Sequence, residues 1–109
     1  MCEFSGLPVR ALLLGAHIVP DADGGPPSVR NGICMPALHH VAFDSHLVGV
    51  DSDFGVHVSL RLQEEHDGEL LAALKGLDGT RLRLPADRDD WPRREFLERR
   101  FNRFRASDG

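Results

Sequence analysis

Residues 21–28 read DADGGPPS, and every one of them except Ala22 is a turn former. Two prolines lack the N–H that a ladder or helix needs, and two glycines carry no side chain to pack, so this stretch is a loop. Extended stretches flank it. Val9 to Val19 is VRALLLGAHIV, with a strand expected over Ala16 to Val19, because Pro20 cannot continue a central ladder. Val29 to Met35, VRNGICM, resumes extended structure. Two short strands around a turn-rich loop predict a hairpin with an enlarged loop.

The rest of the chain follows the same logic. Pro36 suits a first helical turn, and a helix is expected over Ala37 to Asp44. Leu47 to Val50 and Val56 to Leu62 predict two more strands around a turn at 51–55. Glu69 to Lys75 is a short helix stopped by Gly76, and Arg81 to Leu84 an edge strand ended by Pro85. Pro92 to Arg105 is an amphipathic helix with Leu97, Phe101 and Phe104 on one face. The expected class is α+β. At 109 residues the chain has room for one core, so residues 1–109 are taken as one domain.

Charge narrows the function classes. The net charge is −4, which argues against a general nucleic-acid coat. The acidity is uneven: residues 1–54 hold two basic against six acidic side chains, whereas 55–109 balance. Arg88 to Arg105 is locally basic, with seven arginines against four acids. No apolar run could span a bilayer, and the acidic start is unlike a secretory signal, so no membrane partner and a cytoplasmic location are expected. Cys2 and Cys34 do not make a disulfide framework.

Four of the six histidines fall between positions 17 and 46, three of them within GAHIVPDADGGPPSVRNGICMPALHHVAFD. His17 ends a predicted strand, Asn31 starts the returning one, and His40 follows nine residues later on the helix. His40 and Asp44 are i, i+4 neighbours, spaced to share a divalent cation or to bond one another. A hairpin packed on that helix would join a general base, an amide and metal ligands. Each residue alone has an ordinary explanation: a packed or surface histidine, an Asn-Gly turn, a helix-end acid. The joint spacing is what points to chemistry.

AHIVP, then RNG, then ALHHVAFD resembles the HNH endonucleases, the ββα-metal nucleases, especially the branch at the C-terminus of modification-dependent restriction enzymes. The opening Cys2-Glu3-Phe4-Ser5-Gly6 and the later segments GTRLRLP and FLERR are similar as well. The resemblance implies a ββα-metal core over about 14–46, with accessory strands and helices over 47–109. It implies His17 as general base, Asn31 as the residue holding the loop and that base, and His40 as a catalytic metal ligand. Asp44 and His39 are further metal candidates. The cofactor implied is Mg²⁺ or Mn²⁺, with Ni²⁺ or Zn²⁺ as alternatives, and the substrate is DNA.

Some positions depart from the family. Ala16 stands where many relatives carry another ligand, with Asp21, Asp23 or His39 as substitutes. A structural Cys₄ zinc is not expected, since only Cys2 and Cys34 remain, near Ser5 and Pro36. Arg93, Arg94, Arg99 and Arg100 are candidate phosphate contacts, or else a solvated helix face. Target choice is expected to come from an N-terminal recognition domain or a homodimer partner, the chain being either an excised cutting domain or a small stand-alone nuclease. The rival reading is a non-catalytic interaction module that keeps the fold without a competent metal site.

Overall fold

The computed structural model describes residues 2–4, 6, 8–66 and 68–108. Ser5, part of the expected opening motif, lies outside them. β1 (Leu13–His17) pairs antiparallel with β2 (Gly32–Pro36), Ala16 opposite Ile33 and His17 opposite Gly32. α1 (Ala37–Asp44) follows directly and packs on both strands. A second antiparallel hairpin, β3 (Val48–Val50) with β4 (Val56–Val58), is followed by α2 (Leu60–Gln63), α3 (Glu69–Lys75) and α4 (Arg94–Asp108). The class is α+β, as expected, with a ββα unit formed by β1, β2 and α1.

Burial explains the assembly. Ala16 and Ile33, paired across the first hairpin, are both buried, and Ile18, Met35, Phe43, Val48, Val50, Val56 and Leu97 join them in one core. α4 lies on β3 because position 49 is glycine: a Cβ there would stand 2.6 Å from the Phe104 ring. Leu97 and Phe104 point inward from α4, while Phe101 packs its ring on His57 with centroids 4.7 Å apart. α1 ends in a left-handed turn at His46 (φ 57°), where Leu47 N–H reaches Ala42 O and His46 N–H reaches Phe43 O. That geometry, usually built on glycine, reverses the chain into β3.

Several expected boundaries move, each for a local reason. β1 starts earlier and stops at His17 because the Asn31 side chain, not a strand, bonds both main-chain groups of Val19. Val29–Asn31 is a single 3₁₀ turn, so β2 begins at Gly32. Pro36 closes β2 and caps α1 from outside, leaving Ala37 as the first helical residue. The strand expected over Val56 to Leu62 ends at Val58, since the Ser59 hydroxyl accepts from Arg61 N–H and opens α2. Arg81 to Leu84 forms only a single bridge, Gly55 to Arg81. α3 occupies its expected span, and α4 runs from Arg94 rather than Pro92.

The open edge of β2 is closed by one residue. Glu3 N–H donates to Cys34 O (2.9 Å), and the Glu3 carboxylate accepts from Cys34 N–H (3.1 Å). Arg83 N–H in turn donates to Glu3 O, tying the 79–83 segment to the first hairpin. Burial pushes the Glu3 carboxyl up to about 7, with the bond from Cys34 opposing it. A carboxyl whose pKa is raised by folding stabilises the fold fully below about pH 4.5, and the contribution is lost as pH rises through about 7. Raising pH from 5 to 8 should therefore cost up to about 3 kcal/mol at this position. Urea titrations should show that loss in the wild type and a flatter profile in Glu3→Gln, whose amide oxygen still accepts from Cys34. Equal pH slopes in the two proteins would exclude it.

Candidate active site

The site is built from the end of β1, the turn before β2, and one face of α1. His17 is the last residue of β1 and is exposed, while Ala16 before it is buried in the core. Alternation along the strand produces this split: the Ala16 face packs inward and the His17 face opens outward. A pocket of about 210 Å³ lies beside His17, bordered by Gly15, Ser28, Val29, Asn31 and Gly32.

Asn31 is fully buried and uses its whole amide. Its Oδ1 accepts from Val19 N–H (2.9 Å), and its Nδ2 donates to Val19 O and Pro26 O (2.9 Å each). Asn31 O also accepts from Ile18 N–H. Both ends of the 18–31 loop are thereby fastened to the residues immediately after His17. Gly25 is part of this clamp, because a Cβ there would stand 1.8 Å from Val19 O and 2.9 Å from Asn31 Nδ2.

On α1, His40 Nε2 stands 3.5 Å from Asp44 Oδ2. The other Asp44 oxygen faces Arg100, whose Nη2 is 3.5 Å away. Arg100 is 6% exposed: it donates to Phe43 O (2.7 Å) and Ile18 O (3.4 Å) and lies over the Phe43 ring. The expected phosphate contact at Arg100 is therefore corrected. Its guanidinium is turned inward, tying the end of β1 to the end of α1. Burial holds its pKa below the usual arginine range, and Asp44 pulls the other way. The missed signal was its place three residues after Leu97, inside the apolar stripe of α4.

His39 turns away from His40 and Asp44. Its Nδ1 lies 3.6 Å from Cys2 Sγ and its ring meets Phe4 edge-on, and burial lowers its pKa. The Asp23 carboxylate is taken by Arg103 (2.5 Å), a hydrogen bond that holds its pKa below the usual carboxylate range. Asp21 is exposed on the same 3₁₀ turn, Asp21–Asp23. Among the described residues no group of three His, Cys, Asp or Glu side chains is gathered for a metal. The His40–Asp44 pair remains: an imidazole nitrogen and a carboxylate oxygen at the separation of two ligands on one cation with bonds of about 2.0–2.2 Å. That chemistry fits a divalent ion completed by water and phosphate oxygens.

Residues 2–51 match the family model described as HNH endonuclease. This segment belongs to the HNH family. The HNH segment ends within the second hairpin's turn, so α4 and its arginines lie beyond it. The family is one of nucleases, which generally use divalent metal ions and act on DNA. No curated protein and no solved structure matches the chain. No helix among the described residues is long and apolar enough to cross a membrane.

Proposed function

We propose that this chain is a metal-dependent DNA endonuclease whose general base is His17. The observation that carries the reading is an exposed histidine at a strand end, inside an HNH segment, with the loop after it clamped by a buried asparagine. Hydrolysis of a phosphodiester forms one P–O bond to a water oxygen and breaks another to the leaving oxygen. The water must lose a proton, and the leaving oxygen must gain one. His17 takes the proton from water in the open pocket beside Gly15 and Gly32, and the leaving oxygen takes its proton from solvent. Asn31 fixes the backbone on which His17 sits. His40 and Asp44 would hold the divalent cation, which when bound supplies the positive charge that offsets the extra charge on phosphate and leaving oxygen. Arg100 orients Asp44 from behind.

A restriction-type role, with target choice made by another domain or a second copy, extends this reading. A second reading has its own support: Ala16 is buried and Asp44 already faces Arg100, so the metal site has two protein donors. On that reading the chain binds without cutting. Supercoiled plasmid separates the two. With Mg²⁺ or Mn²⁺ the protein should convert it to open circles, and excess chelator should stop the conversion. Intact plasmid under every divalent ion tried would leave the non-catalytic reading.

A further inference from the structure

Beyond the HNH segment, the approach to α4 builds a second feature. A pocket of about 470 Å³ is lined by Arg30, Arg88, Arg93 and Arg94 around Trp91, with Asp89 and Glu95 the carboxylates on its wall. Its floor is rigid. Trp91 Nε1 donates to Pro85 O (2.7 Å) and the ring meets Phe54 edge-on. Arg30 Nε donates to Trp91 O (3.2 Å), and Arg93 N–H donates to Arg30 O (2.9 Å). Arg88 lies over the Trp91 face at 5.0 Å, and Arg94 over Phe54 at 5.4 Å.

The ion pairs leave charge over. Arg93 pairs with Glu95 (2.6 Å) and Arg94 with Asp53 (3.2 Å). Among the described residues Arg30 and Arg88 have no carboxylate partner, yet both are held in place by the tryptophan. The pocket wall carries four guanidiniums against two carboxylates, an excess suited to a polyanion rather than to a small enclosed ligand. Position adds to this. Arg30 belongs to the same 3₁₀ turn, Val29–Asn31, whose other residues border the His17 pocket. With Gly32 opposite His17, the Arg30 backbone lies within about 12 Å of His17.

We propose that Arg30, Arg88, Arg93 and Arg94 form a cradle for the phosphodiester backbone of duplex DNA beside the His17 pocket. The choice of DNA rests on the nuclease reading above. Arg88, Arg93 and Arg94 add grip from beyond the HNH segment to that of Arg30 within it, in a chain whose overall charge repels the substrate.

The test is binding of a fluorescent DNA duplex of about 20 base pairs to the full chain, with chelator present to prevent cutting, as a function of salt. Arg30→Gln/Arg88→Gln should weaken binding about tenfold or more at low salt. It should also make the slope of log affinity against log salt shallower by roughly 2, one counterion for each lost contact. Arg61→Gln/Arg105→Gln, which removes the same charge elsewhere, should change affinity less than about threefold. Equal effects of the two pairs, or no measurable duplex binding by the wild type, would overturn the cradle. Plasmid nicking by the wild type is scored separately. Nicking without a cradle-specific loss of affinity sinks the cradle alone, and a cradle-specific loss without nicking sinks the cutting reading alone.

Discussion

His17→Ala should slow plasmid nicking by at least about 100-fold, within the range set by removing a positioned general base. The fold should not notice. His17 is exposed, its neighbour across the ladder is Gly32, and the buried member of the pair of residues is Ala16. Thermal melting of the variant should therefore stay within about 2 °C of the wild type, as for other surface changes. The same openness allows a sharper check. Truncation enlarges a pocket already about 210 Å³ and bordered by Gly15 and Gly32, so free imidazole can occupy the space of the lost ring. Millimolar imidazole should restore part of the variant's rate and do nothing for the wild type. A variant that nicks at the wild-type rate would remove His17 from the chemistry.

Where interactions are local, the sequence was a good guide. The DADGGPPS loop, the hairpin around it, α1 after Pro36 and the α3 span all follow from turn chemistry and periodicity over a few residues. Tertiary contacts decided the rest. Val56 to Leu62 alternates like one strand, but Ser59 finds Arg61 N–H and turns the chain into α2, leaving Leu60 exposed. His39 and His40 are equivalent as letters. Packing against Phe4 and Cys2 draws His39 one way, and Asp44 draws His40 the other. The arginines of α4 divided in a similar manner. Arg100 is drawn inward by two carbonyl oxygens and the Phe43 ring, whereas Arg93 and Arg94 stay at the surface. Asn31-Gly32 looks like a plain turn dipeptide until Val19 and Pro26 are brought to it from the far side of the loop.

That last contact carries the second large effect. Asn31→Ala removes three hydrogen bonds at a fully buried position and leaves Val19 N–H, Val19 O and Pro26 O without that partner. Lost bonds and stranded polar groups together should cost about 3–5 kcal/mol. Domains of this size have about 5–15 kcal/mol in total. The melting temperature should fall by more than about 10 °C. Asn31→Asp separates shape from hydrogen bonding. The carboxylate can still accept from Val19 N–H, but its second oxygen then faces two carbonyl oxygens where Nδ2 donated. Burial and those acceptors favour the protonated acid, which can donate once, so folding raises the carboxyl's pKa. Stability from such a group is present at low pH and is lost as pH rises. The Asp variant should therefore melt several degrees closer to wild type at pH 5 than at pH 8, whereas the gap for Asn31→Ala should stay nearly constant. An Ala variant melting within 2 °C of the wild type would mean that Val19 and Pro26 find other partners, and that the loop behind His17 is not held by this amide.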